Sequence, residues 1–239
     1  MRKFWCYISN GTYSTGCSGQ TVYVYDSEGK ELAKFKDIKH GYVAVFHPTK
    51  NIIVVKSTGA YFAVYSLDTM SLIKKVKYSN VDGSQDDGYC FSLDGDYFYN
   101  IERQNSSTNH VISIYETSNF ERVKVFLEDN EKIEPSQIEY DDNGQMYVLG
   151  FLRGDNGVIS DGFISKFSEN GMEELCVIPQ DEYEFYEDFK DLERKGFTEE
   201  AKKWSGFKYD NVDMTGIEEW NYPLSELWEK YKKKADDKE

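Results

Sequence analysis

An aromatic residue just inside the end of a short apolar strand recurs along this chain, at Tyr25, Tyr65, Tyr115 and Phe167, with spacings of 40, 50 and 52 residues. Each marker closes a run of β-branched or aromatic residues, as in Thr21-Val22-Tyr23-Val24-Tyr25. Each is followed by a polar turn and another strand-like run, such as Glu121-Arg122-Val123-Lys124-Val125. Runs of this composition, cut by Gly, Asn and Asp, specify sheet. A period of this length holds about four short strands, and so small a unit must stack on a neighbour to bury its apolar face.

A second motif precedes the marker in three of the units. The stretches 42–55, 89–99 and 138–149 each place two apolar strands around a tight turn, at Phe46-His47-Pro48, Phe91-Ser92-Leu93-Asp94-Gly95 and Tyr140-Asp141-Asp142-Asn143-Gly144. Asp-Gly and Asn-Gly reach the positive φ that tight hairpins need. With Val24-Tyr25-Asp26 and Val64-Tyr65-Ser66, these residues resemble the WD-repeat and YVTN-like β-propeller superfamily over roughly residues 3–179. The resemblance implies architecture alone, because the Trp-Asp and Gly-His dipeptides of functional subfamilies are absent. The expected fold class is mainly β: a four-unit β-propeller-like repeat in residues 1–180, with units at about 3–36, 42–77, 88–127 and 136–179. The first unit reads as one strand short, with strands at 3–9, 21–26 and 30–36 and a long loop at 10–20. Either Phe207–Val212 completes it, or the propeller is open and partial, with helices covering the exposed edge.

After Pro179 the period changes to that of a helix. Phe185, Phe189 and Leu192 share a stripe, acidic residues occupy the first turn and Gly196 ends it, predicting a helix over about 181–195. A short helix is expected at 198–205. Another starts at Pro223, with Leu224, Leu227, Trp228 and Tyr231 on one face. The helical extension, 181–239, is expected to pack its stripes on the repeat domain.

Charge narrows the function. The net charge is -15, and it is uneven: residues 1–80 hold 11 Lys and Arg against 5 Asp and Glu, while residues 81–181 hold 6 against 21. Such an acidic chain repels nucleic-acid phosphate, so direct nucleic-acid binding is not expected. No apolar run approaches the ~20 residues that span a bilayer, and no leader is evident, so the expected location is cytoplasmic. Cys6, Cys17, Cys90 and Cys176 are scattered and expected to be reduced, with no metal site and no cofactor.

Function is expected in the long connections between the second and third strands of a unit and between units, since the scaffold itself needs only short ones. They carry Tyr13, Tyr78, Asp82, Asp86, Asp87, Glu128, Asp129, Glu131, Glu134, Asp155 and Asp161, carboxylates with aromatic anchors that suit a basic protein surface. The expectation is a monomeric, non-enzymatic protein-binding module with a basic partner, in its concrete form an immunity protein that neutralises a bacterial toxin. The alternative is a carbohydrate- or small-molecule-binding protein, or a hydrolase, using the central mouth of the propeller. His40, His47 and His110 lie in different connections, His47 in a structural turn. No nucleophile elbow, phosphate loop or His-Glu metal motif is present, and Asp141–Gly144 reads as a hairpin turn, not a calcium loop.

Overall fold

The computed structural model describes residues 4–79, 88–104, 109–154, 157–196 and 222–236. It contains four antiparallel sheets, each made of four consecutive strands paired in chain order. The first holds β1 (Cys6–Ser9), β2 (Tyr13–Ser18), β3 (Thr21–Asp26) and β4 (Glu31–Phe35); the second holds β5 (Gly41–Phe46), β6 (Ile52–Ser57), β7 (Tyr61–Ser66) and β8 (Ser71–Lys77). The third holds β9 (Tyr89–Phe91), β10 (Tyr97–Arg103), β11 (His110–Glu116) and β12 (Glu121–Phe126); the fourth holds β13 (Ile133–Tyr140), β14 (Met146–Arg153), β15 (Ile159–Ser168) and β16 (Gly171–Ile178). Helix α1 spans Gln180–Arg194 and α2 spans Leu224–Asp236. This is the propeller-like repeat that the markers predict.

The aromatic markers have a structural role. In every sheet the pairing of third and fourth strands slips register at the marker: between Val24 and Tyr25, Val64 and Tyr65, Ile114 and Tyr115, and Ser165 and Phe167. A bulge increases local twist and re-aims the side chain beside it. All these markers except Tyr25 are nearly fully buried. The turn that follows contains a left-handed residue in each unit: Gly29, Met70, Phe120 and Gly171.

The first sheet is complete, which corrects the expectation of a missing strand. Asn10 begins a turn in which its side-chain oxygen accepts the N–H of Thr12 at 3.1 Å and of Tyr13 at 2.8 Å, while Gly11 takes φ +87°. Tyr13–Ser18 then pairs with β1 and β3. The strand looked like a loop because it is built of small residues. At Gly16 the Phe4 ring leaves no room for a side chain: a Cβ there would stand 2.6 Å from that ring. Phe207–Val212 and the short helix expected at 198–205 lie outside the described residues.

The chain divides into two compact units: one contains the first and second sheets and the last residues of α1, the other the third and fourth sheets with most of α1 and with α2. In the first unit, Val22, Val24, Ile38, Val43, Ile53 and Val55 are buried, and Phe35 stacks on Tyr65 with ring centroids 4.1 Å apart. In the second unit, Ile101 and Ile112 of the third sheet pack against Ile138, Met146, Val148 and Phe163 of the fourth. The other side of the fourth sheet receives the helices, where Leu224, Leu227, Trp228 and Tyr231 of α2 join Tyr183 and Tyr186 of α1 over Leu149, Ile164 and Ile178. The expected stripe of α2 thus buries against the sheet, whereas on α1 Tyr183 and Tyr186 do so and Phe185, expected on the buried stripe, is 44% exposed. Among the described residues no helix is long and apolar enough to cross a membrane.

Candidate functional site

Within each sheet the first-to-second and third-to-fourth connections are hairpins at one edge. They are ordered by their own side chains. Asp94 accepts the Asp96 N–H at 3.0 Å and the Ser92 hydroxyl at 2.6 Å, bonds that hold its carboxyl below the usual range, that from Ser92 most of all. Asp141 accepts the N–H groups of Asn143 and Gln145 at 3.0 and 2.8 Å, and Gly144 has φ +82°, so this segment is the expected hairpin turn. His47 is buried and accepts the N–H groups of Thr49 and Lys50, both at 3.1 Å, through Nδ1, as a structural turn residue would.

At the opposite edge of the third and fourth sheets, in the second unit, the connection 127–132 joins β12 to β13. Glu128, Asp129 and Glu131 are exposed there. The turn is set by Asn130, whose side-chain oxygen accepts the N–H of Lys132 at 2.9 Å and of Ile133 at 3.0 Å. No hydrogen bond or ion pair to the described residues occupies the three carboxylates.

Glu134 differs from its expected role. It belongs to β13 and is 4% exposed, with one carboxylate oxygen paired to His110 Nδ1 and the other accepting Arg153 Nε at 2.5 Å. Arg153 also donates to the Gly157 carbonyl at 2.9 Å, and its guanidinium lies 5.2 Å from the Phe151 ring centre. Glu134 therefore cannot serve as an exposed contact; it fixes β11, β13 and β14 beside the acidic turn. Asp161 lies within β15 opposite Leu152 and is half-buried.

In the first unit the expectations also shift. Tyr13 opens β2 opposite Asp26, at the hairpin edge and not in a long loop. Tyr78 is half-buried just after β8, its ring 6.3 Å from that of Phe62 and 5.8 Å from the buried Lys56 ammonium, so it packs the sheet. Asp82, Asp86, Asp87 and Asp155 lie outside the described residues. Of the expected contact residues, the structure brings together Glu128, Asp129 and Glu131, with Glu134 as their buried support.

Two features escaped the sequence reading. One is a buried carboxylate, Glu102 on β10, 1% exposed, which accepts hydrogen bonds from Asn100 at 2.9 Å, Tyr115 at 3.0 Å, Arg122 at 3.2 Å and the Ser113 hydroxyl. Burial pushes its pKa up, and these partners oppose the shift without cancelling it. The other is a basic pocket in the first unit lined by Lys39, His40, Lys75 and Lys77. Its signal was present in the excess of lysine and arginine before residue 81. Among the described residues no group of three or more His, Cys, Asp or Glu is placed to hold a metal ion.

The fold places this chain in the class of propeller-like β-repeat proteins. No family model matches it, and no curated protein matches it. Among solved structures it is similar to hydrazine synthase of Kuenenia stuttgartiensis, at 15% identity and a TM-score of 0.55, over 71% of this chain and 51% of that one. The chain thus spans about half the length of that structure, and the likeness is one of fold.

Proposed function

We propose that this protein is a non-enzymatic binding module acting in the cytoplasm, which engages a basic protein through the acidic edge of its third and fourth sheets. The observation that carries this reading is the turn 127–132: three exposed carboxylates on a connection already ordered by Asn130 and backed by the Glu134 network. A preordered turn loses little entropy on binding, and uncompensated charge speeds encounter with a cation-rich surface. A cationic toxin, such as a nuclease, is the concrete partner that suits this charge, and the protein is then its immunity protein.

The test is capture from the native host on the immobilised protein at low salt, followed by affinity measurement with wild type and with a Glu128→Gln/Asp129→Asn/Glu131→Gln variant. The captured protein is expected to be basic, and the variant to bind roughly tenfold more weakly, at several tenths of a kcal/mol for each exposed charge pair. A neutral or acidic partner, or unchanged affinity in the variant, would overturn the proposal.

A further inference from the structure

The basic pocket of the first unit has a volume of about 480 Å³, within the ~300–1,000 Å³ range of small-molecule sites. It is assembled from three parts of the chain. Lys39 and His40 come from the connection between β4 and β5, Thr58 and Gly59 from the turn between β6 and β7, and Tyr61, Lys75 and Lys77 from the paired strands β7 and β8. The register sets Tyr61 opposite Lys77 and Ala63 opposite Lys75, which puts the tyrosine and both lysines on one face of the sheet.

The floor is fixed by hydrogen bonds. The Lys39 N–H donates to the Tyr61 hydroxyl at 2.6 Å, the Ser57 hydroxyl donates to the Lys39 carbonyl, and the Thr58 N–H donates to the His40 carbonyl at 3.2 Å. His40 and the nearby Ala60 hold left-handed conformations, φ +53° and +56°, a strained backbone that recurs at functional positions. The Lys75 ammonium lies 3.9 Å from the Tyr61 ring centre and donates to the Asp37 carbonyl at 3.1 Å, a neutral acceptor that leaves its charge uncancelled. Neither Lys39 nor Lys77 forms an ion pair with the described residues. Three lysines thus line one concavity with no carboxylate in its lining, in a chain with 43 acidic residues against 28 basic ones.

We infer that this pocket is an anion site for a phosphate-bearing small molecule. Lys39, Lys75 and Lys77 supply charge-assisted hydrogen bonds to the phosphate oxygens, and the hydroxyl of Thr58 supplies a neutral donor. The volume exceeds what a single phosphate group fills and leaves room for an organic part. This site lies in a different unit from the acidic turn, so the two proposals stand or fall separately.

The test is a heteronuclear NMR titration of the full chain with inorganic phosphate and, in parallel, with AMP. Saturable shifts are expected at the amides of Lys39, His40, Thr58 and Gly59, with millimolar or tighter affinity. A Lys39→Gln/Lys77→Gln variant should bind at least fivefold more weakly, and Lys34→Gln, which removes a lysine outside the pocket, should bind within twofold of wild type. Tighter AMP binding assigns the site to phosphate esters, and tighter phosphate binding to the free anion; either supports it. Absence of saturable shifts at these amides by about 10 mM ligand, well above the concentrations at which a weak specific site fills, overturns it. So does equal weakening by Lys34→Gln and the double variant, which would mean unspecific attraction. Lys39 and Lys77 are exposed, and a wild-type amide spectrum in the double variant confirms that it folds.

Discussion

Glu102 shows how a residue can look like surface and act as core. In the alternation of β10 it shares a face with Asn100 and is followed by Arg103, as a solvent-facing residue would be, yet it is almost completely buried and receives donors from Asn100, Ser113, Tyr115 and Arg122. A buried carboxylate is tolerated only when such donors replace water, and removing it leaves them unsatisfied. Glu102→Ala is therefore expected to cost roughly 3 kcal/mol or more in urea unfolding, and Glu102→Gln, which keeps an acceptor, distinctly less. Glu134 follows the same logic beside the acidic turn. In both cases the sequence shows the charge, while burial and partners come from strands far apart in the chain. The same holds for Cys6 and Cys17, free thiols eleven residues apart that stand directly opposite each other on β1 and β2.

Among the elements, α2 was readable because its apolar residues recur at helical spacing and Pro223 marks its start. Pro223 stands just before the helix, its carbonyl accepting the N–H groups of Glu226 and Leu227 at 3.0 and 3.2 Å. The docking of α2 on α1 has an electrostatic component. Glu182 of α1 accepts Lys230 at 2.7 Å, Tyr231, and Lys234 at 3.2 Å, and these hydrogen bonds, that from Lys230 first, lower its pKa from 4.5 to about 2. A carboxyl held this low stabilises the fold at pH values above its unfolded value, near 4.5, and loses that contribution as pH falls toward 2. Denaturation of wild type and Glu182→Gln across this range checks the sign: the variant is expected to be the less stable at pH 7, with the difference shrinking below pH 4.5 and vanishing near pH 2. The strand β2 was not readable, because Ser14, Gly16 and Ser18 carry little strand propensity and the Phe4 ring excludes a side chain at Gly16. The left-handed Met70 and Phe120 were equally hidden, since neither is a usual turn residue.

For the whole molecule, charge connects structure to association. The net charge of -15 comes mainly from residues after 81, while the pocket lysines belong to the basic first part. If the partner is recognised through the acidic turn, exposed charges do the steering, and salt must screen them. The association rate of the captured complex is expected to fall about tenfold or more between low and high salt, with a smaller change in the dissociation rate, as read by surface plasmon resonance. A rate insensitive to salt would point to apolar recognition elsewhere on the molecule.

The sequence by itself determined the number of repeat units, the strand character of each, the chemistry of the Asp-Gly and Asn-Gly turns and the two amphipathic helices. These are local properties: propensity, periodicity and turn geometry act over a few residues. Tertiary structure decided which charges are exposed and which are locked. It alone turned Glu134 inward between His110 and Arg153, made a strand of Tyr13–Ser18 and joined Lys39 to Lys75 and Lys77 around Tyr61. Each depends on strand register and on contacts between residues distant in sequence, where a side chain's role is set by what packs against it and not by its neighbours along the chain.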